Sequence, residues 1–381
     1  MIELVTNGKR EVALLIGIKL PHQPRWEAED SLDELELLAK SAGAEVRGKL
    51  LQERSEPDPR YFIGHGKALE VKDLCLQGID LVIVDEELSG SQQRNLETIV
   101  ERKVVDRTGL ILDIFAHRAR TREGKLQVEL AQLTYLLPRL VGRGVDLSRT
   151  GGGIGTRGPG ETKLEKDRRT IRQRVAKIRE VLVKVRKHRA LLRKPRRRFS
   201  LPTLALVGYT NAGKSTLFNT LTHASVPVRD QLFATLDPTL RRVRLPNGRT
   251  VLLSDTVGFI RKLPPQLIDA FKATLEEVVE ADLLLHVIDA SHPQMELQRQ
   301  VVEGLLAELG IATKPIIEVY NKIDKLGNTG GLAPRMGETG VAISAKTGEG
   351  VERLLLKIQE TLVGGLAEVR PFSSKGLAAG S

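Results

Sequence analysis

The segment from Gly208 to Ser215, Gly-Tyr-Thr-Asn-Ala-Gly-Lys-Ser, constrains the fold of this 381-residue chain more than any other. An apolar run, Leu204 to Val207, leads into it, and a helix-forming run from Lys214 follows. The glycines therefore stand at a strand-to-helix turn. Lacking Cβ atoms, Gly208 and Gly213 let the backbone of Tyr209, Thr210, Asn211 and Ala212 curl until its N–H groups point inward, reinforced by the helix N-terminus. Such a concavity binds phosphate. Lys214 is placed to reach β- and γ-phosphates, the Ser215 hydroxyl to ligate Mg2+, and Thr216 to close the loop. A strand, glycine loop and helix in this order belong to a doubly wound α/β sheet, which binds ligands at the carboxyl ends of its strands.

Three further segments end strands downstream. Val251 to Gly258 is a strand closing in Asp255-Thr-Val-Gly258, which offers Asp255 to Mg2+ through water and the Gly258 N–H to the γ-phosphate. Ile316 to Tyr320 leads into Asn321-Lys322-Ile-Asp324. A carboxylate at Asp324 accepts both N1–H and N2–H2 of guanine, which adenine does not offer. Asn321 braces that loop and Lys322 lies along the base plane. Val341 to Lys346 ends another strand, where a backbone N–H in Ser344-Ala345-Lys346 is available to guanine O6. The order of these segments predicts a GTP-binding and GTP-hydrolysing domain, with Lys214, Thr235 and Gly258 nearest the chemistry. Thr235, with Phe233 two residues before it, lies between the first helix and the next strand; it is the expected threonine that closes on Mg2+, with Thr239 the alternative.

Phe259 follows the Asp255–Gly258 motif, where a water-orienting glutamine would stand in a Ras-like switch. A phenyl ring cannot orient water. Its side chain is expected in the packing beneath this segment, and hydrolysis is expected to be slow until a partner completes it. Asn211 has two readings: its carbonyl holds K+ against the phosphates, or it braces the loop.

The net charge of +11 is concentrated in one segment. Glu161 to Arg198 holds 17 lysines and arginines against 4 acidic residues, a balance of +13, and the rest of the chain holds 42 against 44. Leu164, Ile171, Ile178, Val185 and Leu192 recur every seven residues, with Val175 and Leu182 between them, which makes a helical seam. Leu126, Leu130, Leu133 and Leu137 make a matching seam upstream, so the two helices are expected to pair as an antiparallel hairpin. A face of one sign has a phosphate backbone as its usual counterpart. Between the helices, residues 141–160 hold eight glycines with Arg143, Arg149 and Arg157 among them. Bare backbone approaches folded RNA closely and arginine forks onto phosphate. Aromatic residues are only 3% of the chain, which disfavours a base-stacking single-strand binder. The candidate RNA contacts are Arg143, Arg149, Gly151, Gly152, Gly153 and Arg157, with Lys163, Arg168 and Arg172 of the helix.

Residues 1–118 read as a small α/β unit. Strands are expected at Glu11 to Leu20, Ala44 to Leu51, Leu81 to Val84 and Leu110 to Phe115. Helices are expected at Ser31 to Ser41, Ala68 to Leu76 and Leu88 to Arg102. Gly64-His65-Gly66-Lys67 lacks phosphate-loop spacing and reads as a turn, and the histidines lack metal-ligand spacing. The single Cys75 makes no internal disulfide and suits a reducing compartment as a small core residue. No stretch approaches the ~20 apolar residues a membrane span needs, and no secretory signal begins the chain. A cytoplasmic monomer is expected, with peripheral membrane association left open.

The whole chain resembles the HflX family of ribosome-associated GTPases. The resemblance is carried by Tyr61 to Lys67, by Gly151-Gly-Gly-Ile-Gly-Thr-Arg-Gly-Pro-Gly-Glu-Thr-Lys163, by the phosphate loop, by Phe233-Ala-Thr235-Leu-Asp-Pro-Thr239 and by Asp255 to Phe259. It implies that an N-terminal domain and its hairpin dock on the large (50S) ribosomal subunit and its rRNA, the glycine-rich loop reaching toward the peptidyl-transferase region. It also implies splitting or rescue of stalled ribosomes, often under stress, with hydrolysis stimulated by the ribosome. A large-subunit assembly or rRNA-remodelling factor is the alternative, and a signalling or membrane-associated GTPase the third reading. The expected layout is an N-terminal α/β subdomain (1–118), a helical hairpin (119–198) with its glycine-rich loop (141–160), a doubly wound P-loop GTPase domain (199–363) and a short tail (364–381). Many members carry a further small domain after the GTPase domain, so functions resting on that domain are in doubt here.

Overall fold

A computed structural model describes residues 5–6, 9–140, 159–198, 201–222, 232–233, 235–237, 239–267, 277–311, 313–326 and 340–363. The chain divides into two compact units, Met1–Val185 with Pro264–Ala270, and Arg186–Leu263 with Phe271–Ser381.

The first unit opens with a two-residue ladder, β1 (Val5–Thr6) against β2 (Lys9–Arg10). Its sheet holds β3 (Val12–Lys19), β4 (Glu45–Glu53), β5 (Leu81–Val84) and β6 (Lys103–Asp106), all parallel, in the order β4-β3-β5-β6. Helices α1 (Arg25–Ser41), α2 (His65–Cys75) and α3 (Gly90–Val100) connect the strands. Parallel strands covered on both faces read as near-continuous apolar runs, and Leu81–Val84 is buried at every position. Ser89 caps α3 with a reciprocal box to Gln92, which fixes where that helix begins.

One expectation fails here. Leu110 to Phe115 is not a strand but the middle of α4 (Arg107–Arg118). The true strand is the short Lys103–Asp106, and Asp106 caps the helix by accepting from Gly109 N at 2.7 Å. All six residues of Leu110 to Phe115 are buried. A helix buried all round loses its 3.6-residue alternation, so its sequence imitates a buried strand. Gly64 is the extended residue before α2, and Lys67 pairs with Glu70, so this turn starts a helix without building a phosphate loop.

α5 (Arg122–Arg139) buries Gln127, Val128, Ala131 and Tyr135, and it packs against α4. Leu126, Leu130, Leu133 and Leu137 are only half-buried, so α5 has two apolar faces and the seam is the lesser one. α6 (Pro159–Arg198) is one 40-residue helix that crosses the boundary between the units. Ile178 and Leu182 of its seam are buried. Ile171, Val175 and Val185 are half-buried, while the side chains of Leu164 and Leu192 lie outside the described residues. Arg174 forks onto Glu129 of α5 at 2.7 and 2.9 Å. This exposed pair adds little energy, so it sets register more than stability.

The second unit has a six-stranded sheet of β7 (Thr203–Gly208), β8 (Thr239–Arg244), β9 (Thr250–Asp255), β10 (Leu283–Asp289), β11 (Ile316–Asn321) and β12 (Val341–Ala342). The order is β12-β11-β10-β7-β9-β8, with β8 alone antiparallel. α7 (Lys214–Thr222), α8 (Met295–Glu308) and α9 (Val351–Val363) contribute to its cover. The core brings Leu206, Leu217, Phe218, Val287, Val319 and Ile358 together, and fixes the strand ends from which the loops emerge. No helix among the described residues is long and apolar enough to cross a membrane.

Candidate functional site

β7 delivers the chain to Gly208, and α7 begins at Lys214. Between them the loop leaves no room for side chains at two points. A Cβ on Gly213, where φ is 96°, would collide with the Asn321 amide, and one on Gly208 with the Val287 carbonyl. Lys214 Nζ donates to the carbonyls of Gly208 and Tyr209 at 3.0 and 2.7 Å. Burial pushes its pKa down to about 8; Asp255 opposes the shift and Lys322 adds to it. The lysine is thus stored against its own loop, where phosphate oxygens can exchange with the two carbonyls.

Three oxygens meet beside it. Ser215 Oγ is 2.8 Å from both Thr235 Oγ1 and Asp255 Oδ2, and Thr235 Oγ1 is 2.9 Å from that same carboxylate oxygen. Burial raises the Asp255 pKa, while Lys214 and the two hydroxyls favour its charged form. Among the described residues, its other oxygen, Oδ1, is buried without a partner of hydrogen-bond geometry. Two hydroxyls and a carboxylate with unused acceptor capacity form a hard oxygen donor set that suits Mg2+ together with phosphate and water. Clusters of three or more His, Cys, Asp or Glu that could hold a metal do not occur among the described residues. Thr239 instead begins β8, opposite Asp255 in the ladder.

Gly258 and Phe259 lie against the loop. A Cβ on Gly258 would stand 2.8 Å from Thr210 Cα and 3.0 Å from Lys214 Nζ. The Phe259 ring is buried, and its backbone forms a parallel bridge with Tyr209. Thr210 N donates to Phe259 O at 2.6 Å, and Phe259 N to Gly208 O at 3.1 Å. The side chain packs and the backbone clamps.

At the other end, Asn321 ties three loops. Its Nδ2 donates to Ala212 O, and its Oδ1 accepts from Ala345 N, each at 2.9 Å. Lys322 has φ of 66° and pairs with Asp289 at 2.6 Å. Asp324 accepts from the Ser344 hydroxyl at 2.7 Å, a bond that leads in lowering its pKa. Thr220, one turn after Thr216, donates to the carbonyls of Thr216 and Ala345. Lys346 and Asn211 are exposed. Asn211 has φ of 61° at the loop's tip, and its described contacts do not single it out as a K+ ligand. Asp289, which holds Lys322, escapes sequence reasoning because it belongs to no motif; its one signal is the end of the apolar run Leu283 to Ile288.

Of the candidate RNA contacts, Arg143, Arg149, Gly151, Gly152, Gly153 and Arg157 lie outside the described residues, as does the Lys163 side chain. Arg168 is half-buried on α6 and Arg172 is exposed.

Three family profiles match the sequence: "GTP-binding GTPase N-terminal" over residues 29–116, "GTP-binding GTPase Middle Region" over 118–196 and "50S ribosome-binding GTPase" over 203–322. GTPase HflX of Caldanaerobacter subterraneus subsp. tengcongensis is 54% identical over 363 residues, covering 95% of this chain and 82% of that protein. GTPase HflX of Escherichia coli is 49% identical over 365 residues, covering 94% and 84%. Among solved structures, the complex of SsGBP with GDP aligns with a TM-score of 0.52 and 26% identity, covering 93% of this chain and 99% of that one.

Proposed function

The chain belongs to the HflX family of GTPases, and from that premise we propose that it is a ribosome-triggered switch. It binds GTP and hydrolyses it to GDP and phosphate. The switch acts on the large (50S) subunit: GTP binding, followed by hydrolysis that the subunit stimulates, splits or rescues stalled ribosomes. The observation that carries the trigger is Phe259, buried where a water-orienting side chain would be needed. The observation that favours RNA is the +13 balance of residues 161–198. Residues 1–198 are the ribosome-facing part and 199–363 the GTPase domain, in a monomer working in the cytoplasm.

The contacts support the following roles. Lys214 leaves the carbonyls of Gly208 and Tyr209 for the β- and γ-phosphates, and the loop N–H groups from Asn211 to Thr216 hold the remaining oxygens. Ser215 and Thr235 would hold Mg2+, with Asp255 behind a water, and the ion would supply charge neutralisation at the phosphates. The Gly258 N–H reads the γ-phosphate. Asp324 reads the guanine edge, Lys322 flanks the base, and the Ser344–Lys346 turn serves O6. K+ beside Asn211 would supply further neutralisation; equal turnover in K+ and Na+, unchanged by Asn211→Ala, removes it.

The test is GTP turnover with and without purified 50S subunits, together with subunit release from 70S particles under a non-hydrolysable GTP analogue. Acceleration and release are expected. Active protein that does neither ends this reading, and preference for immature large-subunit particles over 70S replaces it with the assembly-factor reading.

A further inference from the structure

Tyr209 and Thr210 occupy the two positions after the first glycine of the phosphate loop, and both side chains are buried, 4% and 6% exposed. Their hydroxyls are engaged elsewhere in the unit. Thr210 Oγ1 accepts from Phe233 N at 3.0 Å, and the Tyr209 hydroxyl accepts from Arg261 N at 2.9 Å. Phe233 is two residues before Thr235, and Arg261 is three after Gly258. Phe233 is buried with φ of 57°, a left-handed conformation that bulky residues adopt only when surroundings impose it. On the opposite side, Thr210 N donates to Phe259 O, and Gly258 is pressed so close to Thr210 Cα that a Cβ would not fit.

We propose that Thr210 and Tyr209 are positioning residues that couple the two γ-phosphate-sensing segments to each other. The Thr210 hydroxyl seats the Phe233–Thr235 segment, and the Tyr209 hydroxyl seats Phe259–Lys262. The coupling passes through one dipeptide, because Thr210 holds Phe233 with its side chain and Phe259 with its backbone. This rests on the reading of those segments as the γ-phosphate sensors. The physical case is one of support. Phe259 in place of glutamine deprives the second segment of that water-orienting side chain. Its placement comes from backbone bonds to the loop, and these two hydroxyls extend the same clamp. Removing the Thr210 acceptor strips a buried N–H of this partner, and Thr235 loses the neighbour that fixes its approach to Ser215 and Asp255.

The experiment uses the full chain. Thr210→Val keeps the shape and removes the acceptor; Thr210→Ser restores it; Tyr209→Phe removes only the hydroxyl. Thr210→Val is expected to lower kcat for GTP about tenfold with a smaller change in KM, and Thr210→Ser to recover most of kcat. Tyr209→Phe is expected to speed tryptic cleavage after Arg261 and Lys262 in the GTP-analogue state. The double variant Thr210→Val/Tyr209→Phe is expected to lose less than the product of the two single losses, since both act on one clamp. A Thr210→Val protein with unchanged kcat, a Thr210→Ser protein as impaired as Thr210→Val, or unchanged cleavage in Tyr209→Phe each overturns the coupling. Identical cleavage of the unmutated protein in GDP and in GTP analogue instead overturns the sensor reading beneath it.

Discussion

The two units put similar residues at the carboxyl edge of similar parallel sheets and use them oppositely. In the first unit, Asp85 follows β5 and Asp106 ends β6. Arg107, only 1% exposed, pairs with Asp85 at 2.7 Å and with Glu34, and the Ser31 hydroxyl also donates to Asp85. Burial opposes the Arg107 charge, but the two carboxylates outweigh it and hold its pKa above the ordinary value. Asp106 accepts from Leu88 N, Gly109 N, the Tyr135 hydroxyl and Arg139. The charges are closed on one another. In the second unit the edge carries Lys214, Asp255 and Asp324, held by loop carbonyls and hydroxyls that a nucleotide can replace. Glycine contributes in the second unit by letting the backbone press against Val287, Asn321 and Thr210 at Gly208, Gly213 and Gly258. A sheet edge becomes a ligand site when its polar groups have exchangeable partners, and a structural hub when they do not.

Four experiments press on that contrast. Lys214→Ala is expected to lower GTP turnover by roughly a thousandfold, as loss of a phosphate clamp does, with a thermal midpoint no lower than that of the parent, because a lysine buried with a depressed pKa is stored at a cost. Asp106→Ala is expected to do the reverse. It leaves Arg139 and the Tyr135 hydroxyl buried without their acceptor, for about 3–5 kcal/mol of lost stability in chemical denaturation, while GTP affinity measured under native conditions is kept. If Asp106→Ala weakens nucleotide binding in protein still folded, the hub is not merely structural.

Asp324→Asn is a smaller change. It exchanges one acceptor for a donor facing guanine N2–H2, and should weaken GTP about 10- to 100-fold while favouring a base with a carbonyl at that position, such as xanthine. Competition binding of GTP against XTP decides it. The smallest effect is protonic. Lys214 stands at about 8 against 10.5 for an ordinary lysine. Phosphate favours its charged form, so binding between pH 8 and 10.5 takes up protons and weakens as pH rises. Calorimetry near pH 9 in buffers of different ionisation enthalpy should reveal the uptake, and Lys214→Ala should abolish it. By the same linkage, the unfolded chain binds more protons than the folded one in this window, so the stability of nucleotide-free protein rises with pH there.

How much the sequence discloses follows the same division. The nucleotide edge is legible because glycine geometry forces Gly208 and Gly213 into a local word, and because Asn321 to Asp324 are neighbours in the chain. The choice between Thr235 and Thr239 is not legible in sequence; in three dimensions Thr235 meets Ser215 and Asp255 while Thr239 begins β8. The first unit's hub is silent in sequence: Arg107 and Glu34 are 73 residues apart, Tyr135 and Asp106 are 29 apart, and no periodicity links them. Leu110 to Phe115 misleads for a related reason, since burial on every side erases the helical period. Seam positions on α5 are legible as apolar, but the helix's more buried face includes Gln127, a polar residue that a hydropathy pattern passes over.

Arg139 is the last residue of α5. Its guanidinium lies over the Tyr135 ring at 3.5 Å and reaches Asp106 and the Leu88 carbonyl at 2.9 and 2.6 Å. Helix ends ordinarily fray, and a tug on the chain beyond one unwinds the final turn first. Here that turn is riveted to the end of β6. The last turn of α5 is therefore held against fraying as far as Arg139, where helix and sheet share the Asp106 carboxylate.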